Sequence, residues 1–437
     1  MDDHPPGLHA DSPVLSRGYL GLIAICALMG MPVAIAAAAF TSLTDRLREA
    51  LWVDLPDAAG WAEPPAWYVI VLPALGGLIV AAAVVRLPGR GGHSPVDGLS
   101  LAPLPLSTLP GILLAALATL AFGLVLGPEA PLIALGLALG LLVARLVGAE
   151  GDGAKLLGLA GAFAAISIVL GGPLPSSLVL LEIVAVSGTV AAPALVPTLA
   201  PGFVAAGTGA LAFTGIADWP GLGEASIHAP SLAEYATVRV VDIAWCLVAA
   251  VAIAVTVAIA RPVARRVAER SARHPIAALV AGGLAVGALA VIFRAVTDQP
   301  VDLVLFSGQT TLPETVAETS AGVLALAMVA KVAAYAISLG AGFRGGPIFP
   351  TVAIGGGLGA LLAIVLPGFD ATPAVVAGVA AAGAAGLRLP ISGVVLAAFV
   401  IGGGIAQTLP IAVLASVTGW LTALAVDRAA ERRRAPA

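Results

Sequence analysis

Long apolar runs, repeatedly broken by proline and glycine, set the pattern of this chain. The first extends from Tyr19 to Phe40, long enough for a crossing that needs ~20 residues, and a second from Trp67 to Val85. Between them, Ser42 to Ala66 predicts a long loop whose Trp52, Trp61 and Trp67 suit an interfacial aromatic belt. A polar, glycine-rich patch follows from Pro88 to Gly98. Further apolar segments lie at about 107–126, 131–147, 156–170, 174–187 and 190–213. A looser stretch, Gly215 to Ala233, carries Asp218, Glu224 and His228 and divides the chain roughly in half. The second half has apolar segments at about 237–260, 275–294, 301–306, 316–340, 348–366, 374–387, 391–406 and 409–426. Many are too short for a straight crossing. With 52 glycines and 33 prolines, short and broken helices packed closely on one another are predicted. The fold class is an all-α polytopic membrane protein.

One break carries a charge. Gly127-Pro128-Glu129-Ala130-Pro131 places an acid between helix-breaking residues and two apolar runs. A proline is tolerated in the first turn of a helix, so a helix starting near Glu129 is predicted. Its first N–H groups would be unpaired and the positive end of its dipole would face the break. That is an anion site built from backbone, which Glu129 could fill and a soluble ion could take over. The alternative is a proline kink with a snorkelling or protein-paired acid. Intramembrane acids are costly and mostly functional.

The breaks recur. Pro131 and Pro173 are predicted to open helices in the first half, Pro350 and Pro390 in the second; the separations are 42 and 40 residues. Gly172-Pro173-Leu174-Pro175 and Leu389-Pro390-Ile391-Ser392 each follow a Gly/Ala-rich helix. Interrupted segments at matching places in two halves predict a transporter-like fold with its site between the repeats. The second half's counterpart of the charged break is Gly342-Phe343-Arg344-Gly345-Gly346-Pro347-Ile348-Phe349-Pro350. Pro347 lacks an N–H while Ile348 and Phe349 keep theirs, so two helix N-termini could converge on one anion. Arg344 would add positive charge or anchor at an interface.

Composition narrows the class. Of 437 residues, 11% are charged against roughly a quarter in soluble domains, and the net charge of −4 says little about partners. Cys26 and Cys246 lie far apart in apolar runs and read as small core residues, with no metal set or cofactor motif around them. Nucleic acid is not an expected partner; the lipid bilayer is. The segment before Tyr19 has no positive n-region, so the first run reads as a transmembrane helix, not a cleaved signal. Arg428 and Arg432-Arg433-Arg434 place the C-terminus in the cytoplasm, with Arg261, Arg265, Arg266, Arg270 and Arg273 on the same side. The predicted organisation is a cytoplasmic segment 1–18, a membrane domain 19–426 and a basic tail 427–437, with both termini cytoplasmic in the plasma membrane. The two repeats are placed at about 67–213 and 237–426.

The breaks resemble the three pore motifs of the CLC family of chloride channels and chloride/proton antiporters, G-S-G-I-P, G-[RK]-E-G-P and G-x-F-x-P. Their counterparts are Gly91-Gly92-His93-Ser94-Pro95, Gly127-Pro128-Glu129-Ala130-Pro131 and Gly346-Pro347-Ile348-Phe349-Pro350. The resemblance covers about residues 19 to 426 and fits a divergent prokaryotic branch without CBS domains. It implies a homodimer with one pore per subunit, built as an inverted repeat of tilted and re-entrant helices. It implies that Glu129 is the gate and that the three motif segments line the anion path. Five departures accompany it. The chloride-contacting serine falls on Gly92, with Ser94 two positions on. The basic residue before the glutamate is Pro128, and the phenylalanine position is Ile348, with Phe349 next. The pore tyrosine near the C-terminus has no counterpart, since the last tyrosine is Tyr335. Where the family's exchangers carry two adjacent acids, this chain has Glu182 and then Ile183, so the proton-relaying position lacks an acid. Glu182 is a candidate substitute, but helix neighbours point about 100° apart, and it also reads as a helix-end acid near the surface.

The expected function is therefore anion transport, of chloride first, passive or weakly coupled to protons. The alternative is an anion/proton antiporter for fluoride or another anion. An intramembrane hydrolase is the alternative of another class. For it, Gly92-His93-Ser94 would have to continue to a glycine, and Pro95-Val96 stands there instead. No His-Glu-x-x-His is present, and the chain is not expected to be an enzyme.

Overall fold

The computed structural model describes residues 16–188, 190, 192–222, 232–401 and 405–432. The N-terminal segment before Ser16, Glu224, His228, and Arg433 and Arg434 of the basic tail lie outside them. The helices are, in order, α1 (Arg17–Glu49), α2 (Leu55–Ala58), α3 (Ala66–Arg86), α4 (Leu109–Ala121), α5 (Glu129–Leu146) and α6 (Gly151–Ser167). Then come α7 (Pro173–Ser187), α8 (Ala192–Thr214), α9 (Val240–Ser271), α10 (Pro275–Thr297) and α11 (Leu312–Ala317). The chain closes with α12 (Ala321–Ala341), α13 (Ile348–Val365), α14 (Ala371–Leu387), α15 (Pro390–Ile401) and α16 (Ile405–Arg432). Among the described residues nine helices are long and apolar enough to cross a membrane, and there is no β-strand, only two isolated bridges. The protein is a multi-pass membrane protein.

Proline and glycine act where helices begin and end. Pro173 and Pro275 occupy the first position of α7 and α10, where a missing N–H does no harm. Gly342 ends α12 with φ +100°. Pro131 and Pro350 are the third residue of α5 and α13 instead of the first, still inside the first turn.

The chain divides into two compact units. The first comprises Met1–Ala39, Leu101–Leu106 and Leu132–Ala225. In it, α6 packs on α7 and α8, and the backbones of α5 and α6 meet at Gly136 against Gly161 and Gly140 against Leu157. A Cβ at Gly136 or Gly140 would overlap the facing carbonyl, so only glycine permits this approach. The second unit comprises Phe40–Ser100, Ser107–Pro131 and Ser226–Ala437. There, α13 and α14 meet at Gly355 against Gly378 and Gly359 against Ala374, and α9, α14 and α16 pack on one another.

Three expectations are corrected. The loop expected over Ser42 to Ala66 is helical as far as Ala58, first as α1, then a π-turn at Ala50–Asp54 and α2. No glycine or proline stands between Ser42 and Leu55 to stop the helix. Trp52 therefore does not belong to an interfacial belt: it is 8% exposed, its Nε1 donates to the Ala121 carbonyl at 3.0 Å, and its ring meets Tyr68 and Phe306 edge-on. Trp67, by contrast, is 58% exposed. The apolar segment at 301–306 is only a 3-10 turn at Val301–Leu303 and the residues after it. Glu182 is not a helix-end acid; it lies within α7 and is buried.

Candidate functional site

The motif segments and the residues that contact them fall in the second unit, which includes the first turn of α5 up to Pro131. After α4 the backbone runs without helix from Phe122 to Pro128. It is held by the Val125 N–H donating to Ser338 Oγ at 3.1 Å and the Phe306 N–H donating to the Gly123 carbonyl at 3.2 Å. Gly127 and Gly346 then form an antiparallel bridge, exchanging N–H···O bonds of 2.8 and 2.6 Å. The two motif segments lie side by side with opposite directions. Both start a helix two residues later, α5 at Glu129 and α13 at Ile348.

Glu129 is fully buried. Its Oε1 accepts the Phe349 N–H at 2.6 Å, while Oε2 has no partner. The carboxyl group rests against the Cα atoms of Gly127 and Gly346, so that a Cβ on either would overlap it. Glycine is needed here for close approach to a charged group. The N-terminus of α13 thus receives a carboxyl group, and it is the protein's own side chain. A bond from a backbone amide to an ionised carboxylate is short and strong. The Thr351 hydroxyl bonds back to the Pro347 and Ile348 carbonyls at 3.0 and 2.7 Å, which fixes the same turn.

The first-motif loop is placed by Arg344. Its N–H donates to Thr119 Oγ1 at 3.1 Å, and its guanidinium donates to the carbonyls of Arg90 at 3.1 Å and His93 at 3.3 Å. It therefore clamps the residues before α13 onto this loop. These two carbonyls replace part of the water that burial removes, while Arg344 Nε is buried without a hydrogen-bond partner. Gly92 has φ +88° and a Cβ there would touch Ile112, so the backbone itself disfavours a serine at this position. His93 is exposed and Ser94 half-buried; among the described residues neither makes a hydrogen bond to Glu129. Pro95 is buried and lines a narrow cleft together with Pro347, Tyr335, Arg261 and Arg388.

Of the sequence-predicted positions, the structure brings Gly127, Glu129, Gly346 and Phe349 into contact, with Pro128, Pro131, Pro347, Ile348 and Pro350 buried around them and Ala130 half-buried. Glu182 and Ile183 belong to α7 in the other unit. Two side chains escaped the sequence reading. Lys331, 2% exposed on α12, donates to the carbonyls of Leu303, Val304 and Leu305 at 3.3, 3.5 and 3.0 Å. Tyr335, one turn on and 5% exposed, lines the cleft beside Pro347. A lone lysine inside an apolar run was the available signal for the first; intramembrane charge is functional by default.

Comparison with known proteins adds the family. The family model described as voltage gated chloride channel matches residues 90–423. The chain is 30% identical over 321 residues to "Putative ion-transport protein YfeO" of Escherichia coli (strain SMS-3-5 / SECEC), covering 72% of each chain. The Salmonella newport (strain SL254) protein of the same name is 29% identical over 346 residues, covering 77% of this chain and 78% of that one. Among solved structures, a slow cyanobacterial Cl-/H+ antiporter superposes with a TM-score of 0.74 at 17% identity, covering 95% of this chain and 99% of that one. A CLC-type fluoride/proton antiporter gives 0.67 at 17% identity, covering 93% and 96%. The inverted pair of helix starts, the buried acid between them and these likenesses agree: the chain belongs to the voltage-gated chloride channel family, the CLC family, whose members are transporters.

Proposed function

We propose that the protein passes a small inorganic anion, chloride in the first instance, along a path gated by Glu129, passively or with weak proton coupling. CLC-type anion transport follows from the family. The observation that carries the gate is the Glu129 carboxylate seated on the Phe349 amide at the start of α13. An anion on the path and this carboxylate compete for the same N–H groups, so one must leave for the other to bind. Protonation removes the competing charge and lets the side chain go. Flux then rises as pH falls, and Glu129→Gln makes it insensitive to pH. The remaining motif residues, Gly92, His93, Ser94, Pro95, Gly127, Pro128, Ala130, Pro131, Gly346, Pro347, Ile348, Phe349 and Pro350, are read as the walls of that path.

Weak coupling is favoured by Ile183. An aliphatic side chain cannot bind a proton, so the step from Glu182 onward lacks a relay. Exchange is the second reading, favoured by the antiporter identity of two structures this chain resembles, including one that carries fluoride. The measurement that separates them is anion efflux and internal pH recorded together from liposomes holding the purified protein. Uphill proton uptake driven by an anion gradient, and lost in Glu129→Gln, overturns the passive reading. We also infer a homodimer in the plasma membrane with both termini in the cytoplasm, from the family resemblance and the arginine clusters. Cross-linking in native membranes and cysteine labelling near Arg428 test the two parts.

A further inference from the structure

A groove on the surface of the second unit runs between α9, α12 and α13, with a volume of about 370 Å³, inside the ~300–1,000 Å³ range of ligand pockets. Ala260, Met328 and Ala336 form its buried floor, and Ile259, Val263 and Val329 its exposed rims. Alanines set between branched residues leave a hollow where helices would otherwise close on one another. Thr256, the polar member of the wall, donates its hydroxyl to the Ala252 carbonyl at 2.9 Å. The wall therefore offers an occupant dispersion contacts and little directed hydrogen bonding. Along α9 the groove changes character. Thr256, Ile259, Ala260 and Val263 lie on one helical face, and that face continues to Arg266 and Arg270, both exposed. Thr256 and Arg266 are ten residues apart, ~15 Å along the axis, or half of a ~30 Å hydrocarbon core. From Arg261 to Arg273, five arginines stand against one acid, Glu269.

We propose that this groove binds one anionic phospholipid, with an acyl chain lying in the hollow and the phosphate held by Arg266 and Arg270. An apolar hollow and a basic end, one leaflet apart, match the two ends of such a molecule. A second copy of this chain is the poorer match. At a two-fold interface about this face, each α9 would set its arginines against those of its partner. A free phosphate would meet the arginines and leave the hollow unfilled. Met328 on the groove floor also packs on Gly357 of α13, where a Cβ would overlap its sulfur. A chain seated in the groove therefore bears on the contact between α12 and α13. The site is independent of the gated path.

Native mass spectrometry of the purified full-length protein in detergent tests this, with phosphatidylglycerol or phosphatidylcholine added. One phosphatidylglycerol per chain should bind about tenfold more tightly than phosphatidylcholine and raise the melting temperature by about two degrees or more. Arg266→Gln combined with Arg270→Gln should abolish that preference. Ala333→Phe fills the hollow from a half-buried wall position and should weaken binding of both lipids about tenfold. Ala325→Phe, on the same wall, replaces it if the first variant does not fold. Arg265→Gln, about 100° round the helix, should change binding by less than about twofold. Equal losses at all three arginines would mean a diffuse basic surface and overturn the site. Lipid binding left unchanged by both phenylalanine variants overturns it as well. So does inorganic phosphate held in place of lipid, or a dimer that Ala333→Phe breaks while wild type retains no lipid.

Discussion

The helix pair α5–α6 and the helix pair α13–α14 use the same glycines at the same steps. Counting from each helix start, Gly136 and Gly140 on α5 correspond to Gly355 and Gly359 on α13, and each pair meets its partner backbone without a side chain between. The first residues differ. Where α5 opens with Glu129, α13 opens with Ile348. One half contributes the carboxyl group and the other the amide that binds it. The approach to the next helix is alike too: two residues before the proline that opens it, Gly171 has φ +76° and Arg388 has φ +65°. A left-handed position that glycine fills easily in one half is filled by a charged residue in the other. The scaffold is repeated, and the chemistry is not.

The strongest way to break this equivalence is to fill the glycine contacts. A Cβ at Gly355 would fall on the Gly378 carbonyl, and one at Gly136 on the Gly161 carbonyl. Gly355→Leu and Gly136→Leu should each lose about 3 kcal/mol or more, seen as loss of the monodisperse peak in size-exclusion chromatography. Failure of only one of them would show that the two contacts are not alike.

Glu129→Ile writes the second half's residue into the first. It should leave the fold intact and tighten chloride binding about tenfold, because the competing carboxylate has gone. Calorimetry in detergent reads this directly; equal affinity in wild type and variant would mean that the carboxylate does not compete. Arg388→Gly is the converse copy, into the second half. Relief of the left-handed strain, about 1 kcal/mol, should nearly offset the lost Asp427 ion pair. Melting temperature should therefore move by only a few degrees. The smallest change is Gly171→Ala, for which about 1 kcal/mol of destabilisation is expected from φ alone. A neutral result in a thermal melt would remove the claimed likeness between Gly171 and Arg388.

The positions of the breaks were legible in the sequence because proline and glycine act locally. Pro131, Pro173, Pro350 and Pro390 interrupt a helix pattern whatever packs around them, and each lies in a first helical turn. The lone acid at Glu129 stood out for the same reason. What could not be read depends on partners distant in the chain. Trp52 looks like an interfacial residue until Ala121, Tyr68 and Phe306 are brought around it. Tyr335 and Arg388 are ordinary residues in sequence, and only the fold sets them on one cleft. Lys331 is satisfied by three consecutive carbonyls, a cradle that no spacing rule announces.

The bridge between Gly127 and Gly346 is made by main chain alone, and every residue type but proline can donate such a bond. What it demands is glycine at two points and a fixed count of residues to each helix start. The letters between are under weaker constraint, which accounts for Pro128, Ala130 and Pro347 standing where relatives are expected to differ. Across long divergence the ruler should therefore outlast the alphabet. A search for still more distant members of this lineage would do better to score the two-residue gap from glycine to helix start, in both halves at once, than to match the motif consensus.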